Sequence, residues 1–324
     1  MSYIFLALTF FGGEYIRYGK YACSLWSIGT KRSHQMKQCI MLTSILCTIF
    51  FTTLSHATPA VGSREYKLML NPALFNGATP KIAISNYWNE LHTLLQSGTI
   101  NRETNGLFRL KKQRTVKFYD TPSSCVLRNK GYSFRERVEN NLREVTLKYR
   151  SYDRFISGHK NMQGDANRNP VTKFEEDISP PFISKYSHST SQSIGAGKNL
   201  NDMNDPIGLY QGLLTYGFNP KEPIALVNNL IISEKVYKGV SVDLGKLKAK
   251  FSLTLWYDTN TSTTPVVAEI SFKYKDTNEN YSDNVTQRAL AIFEIMQNMP
   301  HWVSTTSLTK TAFVFAYATP EFCN

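Results

Sequence analysis

The chain has 324 residues, enough for one large domain or two small ones. Its 42% hydrophobic and 13% aromatic content is that of a folded protein with a β-rich core, which sets aside a disordered or fibrous chain. The formal charge of +12 favours acidic partners such as phosphates, nucleic acid or anionic surfaces, without choosing among them.

In chain order, the first recognisable element begins at Met36. Lys37 forms a short basic region, Ile40 to Leu54 form an apolar run, and Ser55-His56-Ala57 place small residues at a cleavage site, the order of a secretory signal peptide. Residues 1–35 read as an upstream mis-start or extension, 36–57 as the signal, and 58–324 as one exported domain, periplasmic or secreted. The apolar run is too short for a comfortable membrane span, so no stable span is expected after cleavage near Ala57. Removal would discard Cys23, Cys39 and Cys47 and leave Cys125 and Cys323. Such a pair in an exported protein could form one disulfide, and the sequence leaves that open.

A first strand is predicted over 64–70. A helix follows over 81–96, with Thr79 as cap, Pro80 at its first position and Gly98 past its end. Strands are expected near 114–119, 132–138, 143–149 and 172–178. Residues 184–205, rich in Ser, Asn, Gly and Asp, read as a flexible insertion. Then come a helix over 206–216, strands over 224–232, 235–238, 250–257 and 266–274, a helix over 283–299 and a last strand over 307–318. No internal repeat and no dividing linker is visible.

Several of these strands carry apolar residues on one face and charges of both signs on the other. Glu65 and Lys67 share a face, as do Glu144, Thr146 and Lys148, then Lys173, Glu175 and Asp177, then Glu269, Ser271 and Lys273. A packed side and a solvated side explain any one antiparallel strand. The recurrence of interleaved acid and base is harder to explain that way. The segment 118–137, FYDTPSSCVLRNKGYSFRER, adds Arg135 and Arg137 two apart on one strand face. Two planar guanidiniums on one face match a polyanion with clustered oxygens.

That segment resembles the CYTH superfamily, the triphosphate tunnel metalloenzymes, through Tyr119, Asp120, Thr121, Pro122, Leu127, Gly131, Phe134, Arg135 and Arg137. Weaker resemblances follow in the family's order: Glu65 and Lys67 with Ser63 in place of the first Glu, Glu144 to Lys148, Lys173 to Asp177, Lys235, Glu269 with Ser271 in place of a second Glu, and Leu308 to Lys310. The resemblance implies an α+β fold, an antiparallel β-rich closed tunnel with flanking helices. It implies a metal-dependent phosphohydrolase acting on inorganic triphosphate, short polyphosphate or a nucleoside triphosphate. Glu65, Lys67, Arg135 and Arg137 would be catalytic. Lys67, Arg135, Arg137, Lys148, Lys235 and Lys310 would hold phosphate. Glu65, Glu175, Asp177 and Glu269 would place Mg²⁺ or Mn²⁺. Ser63 and Ser271 remove carboxylates, which keeps open a non-catalytic polyanion binder or a barrel with no ligand. An adenylate cyclase-like activity is a further alternative.

Other chemistries find little support. His92, His159, His188 and His301 show no metal-ligand spacing. Gly195-Ala196-Gly197-Lys198 lacks the rest of a phosphate loop, no Ser nucleophile elbow occurs, and no specific nucleic-acid motif is present. The oligomeric state is left unknown.

Overall fold

The computed structural model describes residues 58–77, 80–97, 100–305, 308–317 and 322–323. The expected signal peptide, the extension before it, and the expected helix signals Thr79 and Gly98 lie outside the described residues. None of the described helices is long and apolar enough to cross a membrane.

Alternating apolar and charged residues fold as strands, which in chain order are β1 (Ser63–Leu70), β2 (Thr104–Asn105), β3 (Arg109–Asp120), β4 (Tyr132–Glu139), β5 (Leu142–Ser151), β6 (Val171–Ser179), β7 (Ile183–Ile194), β8 (Ala225–Leu226), β9 (Ile232–Asp243), β10 (Lys248–Tyr257) and β11 (Val267–Lys275). The helices are α1 (Lys81–Gln96), α2 (Val126–Asn129), α3 (Arg154–Gly158), α4 (Asn204–Leu209), α5 (Asp283–Gln297) and α6 (Lys310–Phe315). The sheet runs β9-β10-β11-β1-β6-β7-β5-β4-β3, and β3 pairs back onto β9, so the sheet closes into a barrel. The pairings are antiparallel except β1 with β6. The expected closed, β-rich α+β tunnel is therefore the fold. Tight turns set its register: Asn140 and Asn141, at φ 50° and 63°, join β4 to β5 in the left-handed conformation a two-residue hairpin needs.

The apolar strand faces point outward and are covered. Helices α1 and α5 lay Tyr87, Trp88, Leu91, Phe293 and Met296 against Tyr66, Phe251 and Phe272. Opposite, Ile207 and Leu209 of α4, with Tyr210 and Leu213 after it, cover Phe134 and Leu147. With the apolar faces spent on this outer layer, the charged faces line the lumen.

Three expected elements change kind. The supposed insertion is barrel wall as far as Ile194, because β7 pairs with both β5 and β6. Its polar composition misleads because its hydroxyls and amides have partners: Ser187 donates to Asp177 at 3.0 Å and Gln192 donates to the Leu209 carbonyl at 2.8 Å. The predicted strand over 224–232 is mostly turn, with Asn228 and Asn229 at φ 54° and 51° between β8 and β9. The last predicted strand is helix α6, whose Thr309 side chain accepts a hydrogen bond from the Ala312 amide at 3.2 Å. The closed barrel offers its apolar run no free edge to pair with. Cys125 and Cys323 form a disulfide, with Cα atoms 5.6 Å apart.

Candidate functional site

The informative segment 118–137 earns its shape from Asp120. The carboxylate, at the end of β3, accepts from the amides of Thr121 at 2.8 Å, Leu127 at 3.0 Å and Arg128 at 2.9 Å. That bracket fixes the turn and α2, and so delivers β4 with Arg135 and Arg137 facing inward. Phe134 and Glu136 point outward, and Phe134 packs in the outer core.

Ladder registers place the expected strand residues other than Lys235 on the lumen wall. Glu65 lies opposite Lys273 and beside Asp177, and Lys67 opposite Ser271. Arg135 faces Thr146, and Arg137 faces Glu144. Lys67 pairs with Asp177 at 2.7 Å and with Glu65 at 3.2 Å. Lys148 and Arg150, neighbours on the same face of β5, each reach Asp177 at 3.1 Å. Lys310 arrives from α6, not from a strand, and meets Glu269 at 2.7 Å. Lys235 is a correction. Its neighbours Ile232 and Glu234 set the inward parity of β9, so Lys235 points outward, 4.7 Å from the ring centre of Tyr257.

Three cations that the motif comparison passed over also face the lumen. Arg114 pairs with Glu234, Arg150 contacts Asp177, and Lys238 lies near Lys273 and Lys112. Spacing two from Lys148 to Arg150 was legible. Arg114 was hidden because its strand face continues with apolar Val116 and Phe118.

The cations outnumber what the carboxylates can absorb. Nε of Arg135 and Nε of Arg137 are buried with no hydrogen-bond partner in the protein, and Arg137 comes no nearer than 3.9 Å to Glu234. Burial, then the neighbouring Arg137, pushes the Arg135 guanidinium well below its ordinary range. Burial and then Arg150 push the Lys148 ammonium down to about 7, against the pull of Asp177. Burial alone would raise Glu65, but Lys67 and Lys273 outweigh it and hold the carboxyl at about 2. Asp177 is likewise kept well below the usual carboxylate range: burial opposes, and Lys148, Lys67 and Arg150 win. Toward the unfilled end, Lys275 is pushed down first by Lys273. The lumen is an electropositive bore with buried donors left unpartnered.

The carboxylates do not form a metal cage. Among the described residues no three His, Cys, Asp or Glu side chains come together to hold an ion. Asp177 is taken by three cations, Glu269 by Lys310, and Glu175 accepts from Ser63 Oγ at 2.7 Å. With those partners in place, Glu175, Asp177 and Glu269 do not by themselves form a closed carboxylate cage around an ion. The Gly195–Lys198 loop is no phosphate cradle either. It turns the carbonyls of Gly195, Ala196 and Lys198 toward the Arg143 guanidinium, at 3.1, 2.8 and 2.6 Å, the opposite polarity to an anion nest.

No family model and no curated protein matches the chain. Solved structures of similar shape include a candidate adenylate cyclase from Bacillus halodurans, 10% identical with TM-score 0.35, over 79% of this chain and 98% of that one. Another is HpAC1 of Hippeastrum, a candidate adenylyl cyclase with a dominant triphosphatase activity, 13% identical with TM-score 0.40, over 78% and 95%. A third is the PH1819 protein of Pyrococcus horikoshii, 13% identical with TM-score 0.35, over 79% and 99%.

Proposed function

We propose that the tunnel binds a linear phosphate chain: inorganic triphosphate, short polyphosphate or the triphosphate of a nucleotide. The observation that carries the reading is the pair of buried, unpartnered guanidinium nitrogens on Arg135 and Arg137. A buried donor without a partner costs free energy, and phosphate oxygens are the acceptors that a planar guanidinium fits best. Lys67, Lys148, Arg150 and Arg114 line the same bore and would share the remaining oxygens. The ordered motifs that resemble the CYTH superfamily support the same ligand class.

Hydrolysis of that ligand is a second reading, favoured by Lys148. An amine pushed to about 7 can accept a proton from an attacking water at neutral pH. The arginines would then neutralise charge on the transferring phosphoryl group, the main lever in such reactions. Since the carboxylates do not cage a metal, a divalent ion would come with the phosphate chain if one is used.

Export is part of the proposal. The Cys125–Cys323 bond suits an oxidising compartment, as the signal-like segment does. One experiment separates the readings. The protein is incubated with inorganic triphosphate, polyphosphate and ATP, with Mg²⁺, Mn²⁺ or chelator, and phosphate release and binding are followed in parallel. Binding in chelator without release establishes a polyanion binder. Release that Arg135→Ala abolishes establishes a phosphohydrolase. Neither binding nor release removes the phosphate reading.

A further inference from the structure

One end of the lumen is filled with side chains. Moving two residues along the inward faces from Lys67, Glu234 and Glu269 reaches Met69, Ile232 and Val267, while Phe118 stands across the ladder from Arg135. These apolar residues meet Trp256 and, from α6, Val314 and Phe315 in one interior cluster. Ile232, Trp256 and Val314 are at most 1% exposed, so among the described residues this end presents almost no open surface. Helix α6 is fastened there. The Asn228 amide donates to the carbonyls of Val314 at 2.7 Å and Phe315 at 3.1 Å, and the Arg128 guanidinium sits 4.5 Å from the Phe315 ring centre. The disulfide ties Cys323, beyond the helix, to Cys125 in the turn that precedes β4. Immediately above the seal lie Lys310 and Glu269.

We infer that the tunnel is blind, and that it accepts only the free terminus of a linear phosphate chain, end first. The inference rests on the phosphate reading above and adds what that reading leaves open, namely which part of the ligand is recognised. A chain cannot thread through the apolar seal, because each buried phosphate would lose hydration without gaining a donor. The charged stretch of β11 from Glu269 to Lys275 spans about 20 Å at the rise of an extended strand, which bounds the length of ligand held inside. A longer chain leaves its remainder outside the mouth, past Lys273 and Lys275.

The test counts protein molecules per ligand chain. The full chain, in excess, is mixed at physiological salt with linear polyphosphate of two defined long lengths, and the complexes are sized by sedimentation velocity or mass photometry. Inorganic triphosphate and the same polyphosphate with both termini capped as phosphoramidates are titrated alongside. A blind tunnel binds one protein per terminus, so occupancy stops at two per chain at both lengths, and capping both termini weakens binding by at least about tenfold. Occupancy that grows with chain length, or capped chains that bind as tightly as free ones, overturns the inference while leaving the phosphate reading in place. If neither triphosphate nor polyphosphate binds, the phosphate reading fails and the inference falls with it.

Discussion

Replacing Arg135 by methionine should make the free protein more stable and its stabilisation by ligand smaller. The guanidinium Nε is buried without a partner and the group faces Arg137, with Arg114 beyond. A donor left in that state costs about 1–3 kcal/mol, which an apolar side chain of similar reach recovers. At roughly 2–4 °C per kcal/mol for a domain of this size, Arg135→Met should melt several degrees above the native protein without ligand. With inorganic triphosphate that advantage shrinks. A charge-assisted bond from guanidinium to phosphate is worth about 1.5–3 kcal/mol, so affinity should fall by roughly ten- to a hundredfold. Ligand at a hundred times its Kd stabilises the native protein by about 2.7 kcal/mol, and the variant would gain only about 0.4–1.4 kcal/mol at the same concentration. Scanning calorimetry of both proteins, with and without triphosphate, reads both shifts directly. A variant that melts lower without ligand, or that keeps the full ligand shift, refutes the idea that Arg135 is held ready for an anion at a cost to the fold.

Affinity for triphosphate should fall as pH rises through about 7, because Lys148 loses its proton there. Its folded pKa lies below the ordinary lysine value, so above that pH the unfolded chain holds the extra proton and this group favours folding increasingly as pH climbs. Lys148→Arg should flatten the affinity profile relative to the native protein, and parallel profiles would remove the assignment. Asp177→Asn leaves Lys67, Lys148 and Arg150 without their shared carboxylate and should destabilise by roughly 3–5 kcal/mol, with triphosphate restoring part of the loss. Denaturant unfolding with and without ligand checks both halves. Reducing the Cys125–Cys323 bond should cost about 2–5 kcal/mol and release the seal, seen as a lower melting temperature that Cys125→Ser shares without reductant. Lys235→Ala, on the outer face, should leave triphosphate affinity within about twofold of native, since a solvent-side charge that does not enter the bore is screened.

Much of the barrel was legible because its strands alternate, and alternation survives without any knowledge of pairing partners. What alternation does not say is which face is inside. For β5 and β6 the charged face coincides with the lumen, so Lys148 and Asp177 were found. On β9 the lumen carries Ile232 and Glu234 and the outside carries Lys235, and a short predicted strand over 235–238 held too little pattern to choose. Strand β7 was missed for a related reason: its outward His188, Thr190 and Gln192 find backbone carbonyl partners in α3, α4 and the loop at Met162, so the apolar signal is absent. The motif around Asp120 carries the family resemblance, and its carboxylate organises a turn that acts on the bore only by placing Arg135 and Arg137. Helix α6 looked like a strand because an apolar run in a closed barrel has two uses, pairing or filling, and only closure decides between them. The carboxylates were legible as lumen residues, but their capture by lysines and arginines depends on contacts between strands far apart in the chain.

The most direct test of the anion tunnel is a calorimetric titration of the full chain with inorganic triphosphate in chelator, run beside Arg135→Ala and Arg137→Ala variants shown to be folded. The account predicts saturable one-to-one binding to the native protein without added metal, weakened by at least about tenfold in each variant. No heat of binding to the native protein, or binding that both variants retain unchanged, would contradict it.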